Sequence, residues 1–408
     1  MFRLRTQKLL VRGIFLAIGV LPLLVTVTWA SLRNWQDSVD KLCDRWSGQL
    51  GLDVQVVNIE HPIPHVLRLE GVHITDPESG QAVLIGSSIT ISQKDNTTKL
   101  ACRDLAVRIG HLPELWQMLN RQILRQAGVW GDSIELTAPK LKLLGADRES
   151  PLERLEIRIE NSSLGREANL RIDWDKGVEP STVRIVRKRQ LEKAGELSVR
   201  IEIDTGPQPI SCQLVPWPLD WLKGFGAEAQ FRGIVWIEDG TRHPRGELAG
   251  HITQVDLQTS LGQLLPFQIS GSVDLWVRSL EFENGRIQQL DARVQGGPIS
   301  VDTELVTSLA SEVGASLEIS NASLESLGFD AVRFGIQMDN DGMRLRGLAE
   351  ESAQTEALLT GPDAILHAPA TQPVATTALI KAIVPDSSLE LPINSTSEAL
   401  MRVLPLGD

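Results

Sequence analysis

The residue types able to do chemistry are few and scattered. His61 and His65 stand four apart, a spacing that holds a metal on a helix, but Pro62 and Pro64 forbid a regular helix and leave an extended loop. Asp339-Asn340-Asp341-Gly342 resembles the start of a calcium loop, and Glu350 stands at its twelfth position. The Asp-x-Gly pattern between them is missing, and the tetrapeptide reads instead as a hairpin turn. Cys43, Cys102 and Cys212 form no Cys-x-x-Cys pair, which excludes a zinc ribbon or a thioredoxin-like motif. Spacing alone does not decide whether Cys102 and Cys212 pair. Arg184, Arg187, Lys188, Arg189 and Lys193 form a dense basic cluster. It is a candidate contact for an anionic headgroup or an acidic partner, or else a solvated strand edge. The chain has no phosphate loop, no His-Glu-x-x-His, no Gly-x-Ser-x-Gly elbow and no Ser-x-x-Lys. No catalytic, cofactor or metal residues are assigned, and the chain is not expected to be an enzyme.

The elements that would position any site begin with a basic N-terminus, residues 1–12, carrying Arg3, Arg5, Lys8 and Arg12 and no acid. Residues 13–32, GIFLAIGVLPLLVTVTWASL, contain no charge and match the ~20 residues that cross a bilayer as a helix. Trp29 suits the interface, and the positive flank places the N-terminus in the cytoplasm and the body outside. A cleaved signal peptide, with Thr28-Trp29-Ala30 as its processing site, is the competing reading and exports the body equally. The net charge of −12 argues against nucleic acid as a partner.

Residues 33–51 read as an amphipathic helix with Trp35, Val39, Leu42, Trp46 and Leu50 in one stripe, closed by Gly51. Over residues 52–348 the period changes to two. Leu67 and Leu69, Ile89 and Ile91, Leu197 to Ile203, Val273 to Val277, and Val332 to Met338 each alternate with polar residues. That pattern predicts half-buried antiparallel strands and a mainly β fold. A phase change at Gly71 predicts a bulge. Asn284-Gly285 and Asp341-Gly342 predict hairpins. Short helices are expected over Pro113–Arg125, Leu219–Phe225 and Asp302–Val313. Residues 349–408 read as an acidic, low-complexity tail with helices around Ala378–Ile383 and Ser395–Val403.

The order of parts carries a resemblance. A basic N-terminus, a membrane helix and an amphipathic helix ending in Leu50-Gly51 lead into LDVQVVNIE and VLRLEGVHITDPESGQAVLIGSSITI. SLEFENGRIQQLDARVQGGPISVDTELVTSLAS later adds strand, glycine turn, strand and short helix. Over roughly residues 1–348 this resembles the AsmA-like bacterial envelope proteins, which include the inner-membrane component of the translocation-and-assembly module. The resemblance implies a single-pass anchor in the bacterial inner membrane and a periplasmic body folded as a long, curved, trough-like antiparallel sheet. It further implies a non-enzymatic scaffold that binds or conducts phospholipid, or assists envelope assembly with other envelope proteins. Leu67, Leu69, Ile89, Ile91, Val273, Leu275 and Val277 would then line an apolar groove. The same residues equally suit the core of a closed sheet, which would make the chain an anchored protein–protein module without lipid cargo.

Overall fold

The computed structural model describes residues 21–33, 36–125, 131–145, 151–162, 165–175, 177–189, 197–215, 220–239, 244–262, 265, 267–320, 324–348 and 357–383. These fall into two compact units, Met1–Glu156 and Ile157–Asp408. Both are mainly β with few helices, as the period-two patterning predicts.

In the first unit, α1 (Leu21–Arg33) and α2 (Gln36–Leu50) precede β1 (Asp53–Ile63), β2 (Val66–Thr75), β3 (Ala82–Lys94), β4 (Thr97–Cys102) and β5 (Leu105–Arg108). The stripe of α2 was legible from spacing: Val39, Leu42, Trp46 and Leu50 pack on a core of Leu52, Val54, Ile59, Leu69, Val72 and Ile74. Trp35 lies outside the described residues. Gly51 ends the helix at φ 71°, donating its N–H to the Ser47 carbonyl at 2.9 Å. A left-handed residue is what that closure requires.

The expectation of a purely antiparallel sheet is corrected here. A short helix α3 (Leu112–Gln117), continued by a π-helical turn over Met118–Ile123, lies between β5 and β6 (Ser133–Ala138). With such a crossover the chain re-enters in its original direction, so β6 pairs parallel to β4, and β7 (Leu141–Leu144) pairs parallel to β5. β8 (Pro151–Leu152) returns antiparallel to β7. The bulge expected at Gly71 is also absent. Leu69 pairs with Ile89 and Val72 with Gly86, without a register shift between them. The change of phase comes from Gly71 itself, at φ 63°, where a Cβ would stand 2.6 Å from a Val57 methyl.

β9 (Arg154–Ser162) contains the boundary between the units. The second unit continues with β10 (Gly165–Asp173), β11 (Ser181–Arg189), β12 (Leu197–Asp204), β13 (Ile210–Ser211), β14 (Gln230–Asp239), β15 (Arg245–Asp256) and the short helix α4 (Leu257–Leu261). β16 (Ile269–Glu283) and β17 (Arg286–Asp302) form its longest hairpin, with Asn284 at φ 54° and Gly285 at φ 77° in the turn. Two consecutive left-handed residues make the primed turn that matches strand twist. α5 (Thr303–Val313) follows, with Asp302 Oδ1 accepting the Glu304 N–H at 3.0 Å. β18 (Ser316–Ile319), β19 (Ser326–Phe329), β20 (Ala331–Asp339) and β21 (Gly342–Gly347) come next. The strands β10, β11, β12, β14, β15, β16, β17, β20 and β21 lie side by side, each antiparallel to the next.

Regular structure outlasts the expected boundary at residue 348. β22 (Ala357–Thr360) and β23 (Ala364–His367) pair with each other, and β23 also pairs with β18. α6 (Thr376–Ile383) matches the helix expected around Ala378–Ile383, and its Leu379 packs on Met338 and Met343. The helix expected at Ser395–Val403 and residue Glu350 lie outside the described residues. So do the basic residues 1–12 and residues 13–20 of the expected span; its remainder is helical in α1. Among the described residues no helix is long and apolar enough to cross a membrane.

Candidate functional site

In each unit the sheet has an apolar face and a polar face, and the two have different fates. In the first unit Leu69 is 1% exposed, and Leu67, Ile89 and Ile91 are half-buried against the same cluster that α2 covers. In the second unit Val273 and Val277 are buried and Leu275 is half-buried. Their neighbours Phe231, Leu248 and Ile252 are almost fully excluded from solvent. A ligand reaching Leu69, Val273 or Val277 would have to displace packed protein, whereas Leu67, Ile89, Ile91 and Leu275 keep part of their surface in solvent.

The basic cluster is dense along the chain but not on any one face. β11 is a strand, so alternate residues point to opposite sides. Arg184 pairs across with Glu202 and lies on one face; Arg187 pairs with Arg166 and lies on the other. Arg184 is also neutralised. Its Nε donates to Glu167 at 2.8 Å, and its guanidinium lies 3.6 Å from Glu202. The hydrogen bond from Arg184 is the main cause holding the Glu167 carboxyl below its usual range. The side chains of Lys188 and Arg189 lie outside what the structure describes.

The cationic surface that the structure does assemble comes from arginines far apart in sequence. On the polar face of the second unit, register aligns Arg232 with His251, His251 with Trp276, Trp276 with Arg293, Arg293 with Gly335, and Gly335 with Arg346. Arg333 pairs with Gln295 one step along β17. These strands line a groove of about 860 Å³. Its wall carries four guanidinium groups, those of Arg232, Arg278, Arg293 and Arg333, and one carboxylate, Asp291. Asp291 is taken by Arg278 at 3.3 Å. Among the described residues no acid pairs with Arg232 or Arg293.

An aromatic pair occupies the middle of the row. His251 and Trp276 stack with ring centroids 4.3 Å apart and 16° between planes. Burial lowers the His251 pKa; Arg232 adds to the effect and Asp274 opposes it, so the imidazole is neutral near pH 7. Its Nε2 is buried without a hydrogen bond, and the nearest Asp274 carboxylate oxygen stands 3.9 Å away. Close backbone approach shapes the floor, where Gly233 faces Gly250 and a Cβ on Gly250 would stand 2.3 Å from the Arg232 carbonyl oxygen. No local motif marks this site, because β14, β16, β17 and β20 each contribute one arginine and β15 a histidine, and only the register brings them together. A second groove, of about 790 Å³, lies in the first unit between Arg68, Arg103 and Asp104, with mixed charge.

The other sequence candidates resolve simply. The three cysteines are free, and burial pushes the thiols of Cys102 and Cys212 up to about 11 and about 12. His61 lies within β1 and His65 follows it at φ 65°. Asp339 lies at a hairpin end, paired with Arg344 at 2.9 Å, and its Oδ1 accepts the Asp341 N–H. Among the described residues no group of three or more His, Cys, Asp or Glu side chains is placed to hold a metal ion.

No protein-family model, no curated protein and no solved structure matches the chain.

Proposed function

We propose that this protein is a non-enzymatic scaffold of the bacterial envelope, tethered to the inner membrane by its N-terminal helix with its body in the periplasm. It works by engaging a partner with the exposed polar side of its β-structure, and its apolar faces serve as closed cores. The observation that carries this reading is the burial of the apolar faces in both units, at Leu69 (1% exposed) and at Phe231 and Leu248 (both 0%). The tether is supported by α1, whose Leu21, Leu24, Val25, Val27 and Trp29 are all more than half exposed. At 100° per residue those positions cover more than half of the helix circumference, so no single packing face would hide them. Each leaves roughly 1–2 kcal/mol of burial unrealised in water, which a bilayer would supply. The resemblance to AsmA-like envelope proteins supports the same placement.

A photoreactive amino acid at Leu275 in the full-length chain, activated in living cells, separates this reading from phospholipid carriage. A closed core yields crosslinks within the chain. A phospholipid adduct at Leu275 would restore the apolar groove as the working surface.

A further inference from the structure

We infer that the groove across β14, β15, β16, β17 and β20 is a binding site for a sugar carrying two phosphate groups.

The first support is selective pairing. Several other arginines on the second unit's strands meet acids: Arg184 with Glu167, Arg200 with Glu202, Arg245 with Glu238, Arg344 with Asp339. The chain as a whole has 52 acids against 40 bases, so an acid is the common neighbour for a surface cation. Yet Arg232 and Arg293 have none among the described residues, and Arg333 and Arg346 lie on the adjoining strands. The partner that Arg232 and Arg293 lack is an external anion.

The second support is spacing. Three strand separations of about 4.8 Å put the Arg232 and Arg293 backbones about 14 Å apart, and Arg333 lies diagonally about 8 Å from Arg293. A single carboxylate is satisfied by one bidentate guanidinium, whereas a phosphate accepts from several. Cations distributed over such a span fit two phosphates better than one.

The third support is what lies between the cations. Asp291 and Gln295 offer hydrogen-bonding groups, and Trp276, 36% exposed, offers an apolar ring. A framework that is hydroxylated and ring-shaped meets both demands. A volume of about 860 Å³ accommodates a ligand of that size. The inference rests on the polar face alone and stands whether or not the tether and closed-core reading holds.

The test uses the full chain in phosphatidylcholine nanodiscs and isothermal titration calorimetry. Glucose 1,6-bisphosphate is expected to bind with a dissociation constant below about 1 mM, and at least tenfold more tightly than glucose or inorganic phosphate. Arg232→Gln and Arg293→Gln are each expected to weaken binding at least tenfold with unchanged circular dichroism, while Arg184→Gln leaves it unchanged. Absence of binding, equal binding of inorganic phosphate, or insensitivity to both groove substitutions would overturn the assignment. So would binding confined to nanodiscs containing cardiolipin, which would move the anion to a lipid surface.

Discussion

Leu69→Ala separates a closed core from a lipid-filled groove. Leu69 lies opposite Ile59 on β1 and Ile89 on β3, and it is 1% exposed. Truncation removes three carbons, about 2.4 kcal/mol at ~0.8 kcal/mol per methylene. The void adds a further ~1–2 kcal/mol where the surroundings relax only in part. The strands beside Leu69 are tied by their ladders and α2 lies on the cluster, so little collapse is available. A total of about 3.4–4.4 kcal/mol follows. If Leu69 instead met fluid acyl chains, those chains would fill the void and only the transfer share of about 2.4 kcal/mol would be lost.

Cys102 reports the outcome within the same unit. It pairs with Ile89 across β3 and β4, is buried, and carries a thiol whose pKa of about 11 keeps it unreactive while folded. Urea titration of the full-length chain with thiol labelling, read by mass spectrometry on the Cys102 peptide, follows the first unit without interference from the second. With a denaturant slope of about 2 kcal/mol per molar, the midpoint is expected to fall by about 2 M. A fall of about 1.2 M or less, the share a filled void would leave, would refute the closed-core reasoning.

Gly71→Ala is expected to destabilise the first unit by about 1–3 kcal/mol in the same assay, because φ is 63° and the new Cβ meets Val57. Val57→Ala, at a side chain 78% exposed, is expected to recover part of that loss but not the backbone share. Glu167→Gln is expected to cost about 1 kcal/mol at pH 7, the worth of a charge-assisted but solvent-facing pair. Since the Glu167 pKa is lowered in the folded state, that stability is present above the unfolded value of 4.5 and fades as pH falls through the folded value. The wild-type and variant melting temperatures should therefore converge in acid, and a difference that persists there would contradict the pairing. Leu24→Arg with Val25→Arg is expected to release the protein from the membrane fraction on carbonate extraction. Full retention would remove α1 from the tether.

How much was legible in advance follows from what each pattern encodes. The α2 stripe, the Asn284-Gly285 turn and the start of α5 after Asp302 were readable because the determinants are local: spacing, two left-handed residues, a cap. Period two marks a strand and its faces but says nothing of the partner's direction, so the parallel pairs β4–β6 and β5–β7 were invisible. Gly71 changed the phase as a bulge would, and sequence does not separate an inserted residue from a left-handed one. β22 and β23 have four residues each, too few to display a period within an Ala- and Thr-rich stretch. The arginine cluster at 184–189 misled for the same reason that it was conspicuous, because neighbours in a strand face opposite ways.

The groove inverts that case. In Arg-Gly-Ile-Val-Trp, Leu-Trp-Val-Arg and Ala-Arg-Val-Gln each arginine is unremarked among strand residues, and only the pairing of Arg232 with His251 and of Trp276 with Arg293 makes a row. The row is cheap to keep. Two cations about 14 Å apart repel by only about 0.3 kcal/mol in water, so no intramolecular acid is needed to stabilise the sheet there. The paired arginines of the same face stand directly opposite or diagonal to their acids, as Arg184 does to Glu202 and Glu238 to Arg245. An anion arriving within about 4 Å of a guanidinium gains roughly 1–4 kcal/mol, depending on how much water it displaces. The unpaired row therefore contributes little to folding and most to whatever negative charge it meets, which is the energetic profile of a binding surface and not of a structural one.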